Sequence, residues 1–91
     1  MRFRYTLSER WIKRISRMEE FANGGTQVSV RLSDGRIFYG ILISNSMHPV
    51  AMRDFKDLPF SMEDIADIFQ TDEDRNPNQR KDWDYWDDWQ S

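Results

Sequence analysis

Residues 28–42 read VSVRLSDGRIFYGIL, and this stretch decides the fold. Apolar and polar residues alternate from Val28 to Leu32, which is the period-two pattern of a half-buried β-strand. Asp34-Gly35 follows, and this dipeptide suits the positive backbone angles of a tight primed turn. The pattern therefore predicts a β-hairpin.

The second strand of this hairpin, from Ile37 to Ser44, is apolar on both faces. Strict alternation places Ile37, Tyr39, Ile41 and Ile43 on one face, and Phe38 and Leu42 on the other. Such a strand has the sheet interior on one face and a helix or another subunit on the other. Gly40 at its centre predicts a sharp bend, as small curled barrels need. We expect the chain to form a homo-oligomer, because one helix does not cover so much apolar surface.

The residues before the hairpin have the spacing of one amphipathic helix. Apolar residues recur at steps of three and four, namely Leu7, Trp11, Ile15, Met18 and Ala22. Thr6 and Glu9 have the spacing of a capping box at its start. Asn23-Gly24-Gly25 ends it, because glycine takes the left-handed cap conformation without steric cost.

The residues after the hairpin predict a loop at 45–49 and a short third strand at 50–53. Residues 60–71 allow two interpretations. Ser61 and Asp64 have the spacing that caps a helix. Alternatively, residues 64–69 form a closing strand after a tight turn, and the β-branched Ile65 and Ile68 favour this strand.

The composition divides the chain of 91 residues into one small domain, 1–71, and a flexible tail, 72–91. The net charge is −3, and there is no cysteine, which excludes disulfides and thiolate chemistry. Residues 72–81 are polar and predict a linker without structure. No apolar run is long enough to span a membrane and no leader is evident, so we expect a cytoplasmic protein with no membrane partner.

The hairpin resembles the first sequence motif of the Sm and Sm-like family of small barrels. The similar residues are Val28, Val30, Leu32, Asp34, Gly35, Arg36, Phe38, Gly40 and Leu42. The second motif of that family, an apolar run followed by Arg-Gly, is absent here. The resemblance implies an α+β domain in which an N-terminal helix packs on a small, strongly bent antiparallel sheet, an Sm-like or SH3-like barrel. It also implies RNA binding as an alternative function, with Arg36, Met47 and His48 near the bases.

Candidates for catalysis are few. His48 is the only histidine, and a general base needs an orienting carboxylate and a substrate proton within reach. The aspartates of the tail lack the glycine and the closing glutamate of a calcium loop. We therefore expect no enzyme, no metal and no cofactor, and a small hydrolase is the weakest alternative.

The charge is distributed unevenly along the chain. Residues 1–25 contain six basic and three acidic residues, whereas residues 72–91 contain three basic and seven acidic ones. The basic residues on the predicted helix are Arg10, Lys13, Arg14 and Arg17. They form either a surface for phosphates and acids or simply a solvated face.

The end of the tail is the least ordinary segment, because aromatic residues alternate there with aspartates. The aromatic residues are Trp83, Tyr85, Trp86 and Trp89. Tryptophan and tyrosine dominate binding hot spots, and acidic–aromatic alternation is typical of disordered interaction segments. These four residues predict binding of a protein partner; docking on the chain's own surface, of which the basic helix is one candidate, through aspartate–arginine and arginine–tryptophan contacts is an equal alternative. The sequence thus predicts a non-enzymatic regulatory or adaptor module.

Overall fold

The computed structural model describes residues 3–78 and 82–87 of the chain. Its elements are α1 (Glu9–Ile15), β1 (Gly25–Leu32), β2 (Ile37–Ser44), β3 (His48–Met52), a 3-10 turn (Met62–Asp64), β4 (Ile65–Phe69), α2 (Asp72–Arg75) and β5 (Asp84–Tyr85). The described strands form one antiparallel sheet in the order β4-β1-β2-β3-β5. The predicted α+β class is confirmed. The sheet is open, so the Sm-like or SH3-like barrel type stays a prediction.

The predicted hairpin of β1 and β2 is confirmed, but with a different turn. In the connecting loop, which the structure describes in full, Gly35 has a φ of 94° and Asp34 has a negative φ. A primed turn of type I′ needs positive φ at both central residues, so that prediction is wrong. The Gly35 N–H instead donates to the Leu32 carbonyl at 2.9 Å, and the glycine takes the left-handed position after the turn.

A β-bulge in β2 changes the faces on which its apolar residues lie. Two residue steps along β1 match three steps along β2 between Phe38 and Ile41. Gly40 lies in the bulge with a φ of 70°, where a side chain would be strained. The predicted bend is thus present, and it brings Phe38 to the same side as Ile41 instead of the side of Leu42.

Two hydrophobic clusters lie on the two sides of β2. The inner cluster packs α1 on the sheet, and its buried members are Leu7, Trp11, Ile15, Val28, Val30, Leu32, Ile41, Ile43, Met52, Ile68 and Trp86. The outer cluster consists of Leu42, Val50, Ala51 and Trp83, with Phe3 and Phe21 packed against it. Each cluster contains one tryptophan from the tail. The chain therefore covers Leu42 by itself, and self-association stays a prediction with less apolar surface to support it.

The start of α1 differs from the predicted capping box. Ser8 holds the N-cap position, with no side-chain hydrogen bond to the described backbone. Thr6 Oγ1 instead lies 3.2 Å from His48 Nδ1. The predicted pair of Thr6 and Glu9 is wrong, because a contact with β3 takes the threonine hydroxyl.

The end of α1 is earlier than predicted, at Ile15 instead of Ala22. Beyond the helix, the Glu19 N–H donates to Gln70 Oε1 at 3.1 Å, and Gln70 Nε2 donates to the Glu19 carbonyl at 2.9 Å. Hydrogen bonds to a distant side chain thus replace the next helical turn. Phe21 is thereby free to pack on the outer cluster.

The segment after β3 confirms one prediction and corrects another. The strand interpretation of residues 64–69 is confirmed by β4, which pairs with β1. The prediction that residues 72–81 have no structure is wrong for α2, which follows β4 directly. Thr71 and Asp74 form a capping box there, and its hydrogen bonds supply the order that the polar composition did not indicate.

Asp74 fastens α2 to the sheet through a buried carboxylate. Gln27 Nε2 donates to it at 2.8 Å, Ser29 Oγ at 2.7 Å and the Thr71 N–H at 2.9 Å. A buried carboxylate is tolerated when hydrogen bonds satisfy its oxygens. The contact joins the last part of the domain to the centre of β1.

Trp11→Ala is expected to lower the free energy of unfolding by about 3–5 kcal/mol, because it leaves a cavity in the inner cluster. The Trp11 side chain is only 8% exposed. Chemical denaturation measures the change, and Ile37→Ala, at a residue 41% exposed, is the matched control. A midpoint equal to that of the wild type would contradict the packing of α1.

Asp74→Asn is expected to lower the free energy of unfolding by about 1–3 kcal/mol, because the new amide group faces donors that then lack an acceptor. Asp72→Asn, on the exposed side of the same helix, is the control and is expected to change stability by less than about 0.5 kcal/mol. Thermal and chemical denaturation of both variants test this. Equal effects of the two substitutions would rule out the proposed role of the network.

Candidate functional site: the docking surface of the tail segment

The C-terminal part of the chain lies along the edge of β3. Residues 82–87, here called the tail segment, include β5, which pairs antiparallel with β3 at Ala51 and Met52. A further backbone hydrogen bond runs from the Trp86 N–H to the Val50 carbonyl, at 3.0 Å. The tail segment thus adds a strand to the sheet, the geometry by which several binding domains hold an extended peptide.

Trp83 packs on the outer cluster, at a place here called the outer position. Its ring stacks on Phe21, with 5.5 Å between ring centroids, and the guanidinium of Arg53 lies 4.5 Å above it. The side chain is 7% exposed. The indole N–H is buried and has no hydrogen-bond acceptor among the described residues. Among the described residues, this position therefore offers apolar and cation–π contacts.

Trp86 fills a position on the inner cluster. Its indole N–H donates to the Pro49 carbonyl at 2.8 Å, and its ring meets Tyr5 edge to face at 6.1 Å. Side chains three residues apart on a strand point to opposite faces, which places Trp83 and Trp86 on the two sides of β3. At this second position the occupant thus supplies both an aromatic ring and a hydrogen-bond donor.

Two carboxylates of the tail segment accept backbone hydrogen bonds. The Asp54 N–H donates to Asp84 Oδ2 at 3.1 Å, and the Arg4 N–H donates to Asp87 Oδ2 at 2.8 Å. The Arg4 guanidinium lies 4.0 Å from the other oxygen of Asp87. The docking surface is accordingly defined as the edge of β3 with Arg4, Tyr5, Phe21, Arg53 and Asp54.

His48 positions the N-terminal part of this surface. Its ring stacks on Phe3, with centroids 3.9 Å apart and an angle of 3° between the planes. Its Nδ1 lies 3.0 Å from the Tyr5 carbonyl oxygen, and the Leu7 N–H donates to the Met47 carbonyl at 2.9 Å. These contacts hold the chain before α1 against the start of β3.

Tyr5 and Asp57 connect this surface to the loop after β3. The Tyr5 hydroxyl donates to Asp57 Oδ1 at 2.7 Å. This hydrogen bond is the main reason that the pKa of Tyr5 is raised above 10.0 and the pKa of Asp57 is lowered below 3.8. The pair therefore favours the folded chain at neutral pH, and this contribution declines as acid protonates Asp57.

The predicted partner-binding residues divide into three groups. Trp83 and Trp86 are buried on the chain itself, whereas Tyr85 remains 43% exposed. Burial raises the pKa of the Tyr85 phenol. Trp89 lies outside the described residues. The prediction of a disordered tail is thus incorrect for residues 82–87, because two of the aromatic rings find apolar cover on β3.

The residues predicted to contact RNA do not form one site. Arg36 precedes β2, and Met47 and His48 follow it, so they lie at opposite ends of an eight-residue strand. Arg36 Nε also donates to Asp34 at 2.7 Å, and the Arg36 backbone N–H is the main cause of the lowered pKa of Asp34.

The basic residues of the first helical segment are largely used within the chain. Arg14 donates to the Ile68 carbonyl and lies 3.2 Å from Asp67, which covers part of the outer edge of β4. Lys13 lies 3.4 Å from Glu9. All four of these basic residues are exposed, and Arg10 also stacks on Trp11 at 4.1 Å. Two of the four charges thus make ion pairs within the chain while remaining at the surface.

Two cavities lie among the described residues, and His48 is in the wall of neither. One cavity of about 360 Å³ lies between α1 and the 3-10 turn, with Leu7, Trp11 and Met62 in its wall. Another of about 350 Å³ lies over Gly40 and Tyr39.

Sequence reasoning missed several residues of the docking surface: Arg4, Tyr5, Phe21, Arg53 and Asp54. The only sequence feature that pointed to these residues was the opposite charge of the two ends of the chain. It indicated which types of side chain would meet, but not which residues. Arg4 with Asp87 and Arg53 with Trp83 are the expected arginine–aspartate and arginine–tryptophan contacts. They come from residues outside the predicted helix.

Comparisons with protein-family models, curated proteins and solved structures give no match to this chain. Within residues 3–78 and 82–87, no helix has the length and apolarity to cross a membrane. The same residues contain no group of three or more histidine, aspartate or glutamate side chains arranged to hold a metal ion. The function must therefore be argued from the docking surface itself.

Trp86→Ala is expected to lower the free energy of unfolding by about 3–5 kcal/mol, because a buried ring and its hydrogen bond to Pro49 are lost. Tyr85→Ala is the adjacent control, expected to cost less than about 1 kcal/mol since its side chain is largely exposed. Urea denaturation compares the two variants. Similar stability of both would show that residue 86 is not packed in solution.

Asp57→Asn is expected to lower the pKa of Tyr5 toward 10.0, because the hydrogen bond to a carboxylate raises that pKa. The pKa of Tyr85 has a different cause and should stay raised. A titration of the tyrosine ring signals by NMR gives both values in one experiment. An unchanged Tyr5 titration would exclude the hydrogen bond.

Proposed function

We propose that the protein is a non-enzymatic regulatory or adaptor module that binds a protein partner, and that the tail segment must leave β3 before the partner binds. The observation that carries the proposal is the docking of the tail segment as an added edge strand, with one tryptophan on each side. Release frees Trp83, Tyr85 and Trp86 and opens a strand edge. Aromatic anchors and open strand edges are both common means of protein recognition.

The small extent of strand pairing supports release. β5 contains two residues, and one more backbone bond extends the pairing to Val50. The buried indole N–H of Trp83 has no acceptor among the described residues, so no hydrogen bond within them offsets its burial. The docked state is therefore less stable than it would be if the indole N–H groups of both tryptophans were hydrogen-bonded.

The charge of the chain supports a protein partner over RNA. Neutralisation of phosphates supplies most nucleic-acid affinity, and the chain has a net charge of −3. Arg14 and Arg36, two of the residues predicted for RNA, are paired with Asp67 and Asp34. An acidic–aromatic segment instead complements the basic and apolar surfaces of proteins.

A reversible lock on the tail segment tests the proposal. Ala51→Cys with Tyr85→Cys creates the only two cysteines of the chain. The bond from Trp86 to Val50 makes this a non-hydrogen-bonded pair, with Cα atoms about 4.5 Å apart, which a disulfide can bridge. We expect the reduced form to capture its partner from the native cytoplasm and the oxidised form to capture at least about tenfold less, since buried aromatic anchors carry most binding energy.

The same double variant serves as its own control, because the two forms differ only in the disulfide. Tyr85→Ser alone measures the effect of losing the tyrosine. Capture is quantified by mass spectrometry with and without nuclease treatment. Equal capture by the oxidised and reduced forms would refute the release step, and capture that nuclease abolishes would favour RNA as the ligand.

A further inference from the structure

The tail contains a three-residue repeat that corresponds to the contacts of the docking surface. Residues 83–89 read WDYWDDW, so Trp-Asp-x occurs twice and a third tryptophan follows. The first two tryptophans occupy the outer and inner positions beside β3. The aspartate after each of them accepts a backbone N–H, from Asp54 and from Arg4 respectively.

We propose that the docking surface binds, in trans, an extended segment of a partner protein with the pattern aromatic–Asp–x–aromatic–Asp, and that the tail segment is its internal competitor. This inference rests on the proposed function and names the partner's chemistry. The structure shows each element of the pattern in contact with the surface once. A partner segment with the same two aromatic residues and two aspartates can make the same contacts on this surface.

The two aromatic positions differ in the side chain that they select. At the outer position, Phe21 and Arg53 contact the ring of Trp83, while its N–H finds no acceptor among the described residues. Phenylalanine therefore serves there as well as tryptophan. At the inner position the Pro49 carbonyl accepts the Trp86 N–H, and an occupant without a donor leaves that carbonyl unpaired.

The two aspartates of the bound segment determine its alignment on β3, and their acceptors explain why the surface favours an acidic segment. Their carboxylate oxygens accept hydrogen bonds from the backbone N–H groups of Asp54 and Arg4. The Arg4 guanidinium also places a positive charge beside Asp87. A segment shifted by one residue would direct its rings away from the two clusters. The surface thus selects the spacing of the aromatic residues as well as their type.

A fluorescently labelled peptide, Asp-Trp-Asp-Tyr-Trp-Asp, tests the proposal on the full chain. Because the tethered tail segment competes with the peptide, weakening the tail should strengthen peptide binding. We expect Trp83→Ala in the chain to raise the peptide's affinity at least about tenfold, and Trp86→Phe in the peptide to lower it by a similar factor. Replacing the first tryptophan of the peptide by phenylalanine should change affinity by less than about threefold.

The controls separate sequence recognition from charge and folding. A peptide of the same composition in the order Asp-Asp-Trp-Trp-Tyr-Asp is expected to bind at least about tenfold more weakly. The oxidised Ala51→Cys/Tyr85→Cys chain should lose binding relative to its reduced form, which keeps the test independent of the stability of Trp83→Ala. Circular dichroism confirms that each chain is folded, and amide NMR shifts at β3 locate the bound peptide.

Several outcomes would overturn the inference. These are equal binding of the two peptide orders, no gain in affinity with Trp83→Ala, or equal binding to the oxidised and reduced chains. If any of them occurs while oxidation still blocks capture of the partner, the proposed function stands and the partner instead binds the released tail. If oxidation does not affect capture of the partner, the proposed function itself fails.

Discussion

A strand with apolar side chains on both faces needs cover on both faces, and β2 imposes this requirement on the whole chain. The bulge at Gly40 directs Phe38 and Ile41 to the inner cluster, while Leu42 remains on the outer side. α1 covers only the inner side. The outer side is completed by Trp83, so the residues that look like anchors for a partner also act as part of the core.

The features that sequence predicted correctly are those that depend on near neighbours. The alternation from Val28 to Leu32 and the β-branched residues of β4 specify strands locally, and both strands are present. α1 instead ends at Ile15, and the backbone of Glu19 beyond it bonds the side chain of Gln70, 51 residues away. The apolar periodicity of the sequence continues from Leu7 to Ala22. It therefore carries no information about the contact that the distant Gln70 makes after the helix.

The same limit explains the outcome for the candidate site. The acidic–aromatic pattern identified Trp83 and Trp86 as interacting residues, because few other roles suit such rings among aspartates. Their contacts could not be located, since Arg4 and Asp87 are 83 residues apart in the chain. Opposite charge left two outcomes open, attraction between the two ends or attraction of different partners. The tail segment meets Arg4, whereas Arg14 bonds to the Ile68 carbonyl at the edge of β4.

The two tryptophans pack in different clusters and flank the same short strand β5. In the proposed function, release of the tail segment therefore uncovers both clusters together. In the open state the N–H groups of Asp54 and Arg4, which lie near the rim, return to water at little cost. The apolar surface around Phe21 and Tyr5, by contrast, gains no hydrogen bonds when it is exposed to water, so its exposure is unfavourable. In the proposed binding mode, reburial of aromatic surface therefore provides most of the driving force, and the two aspartates add to the selection that the aromatic positions make.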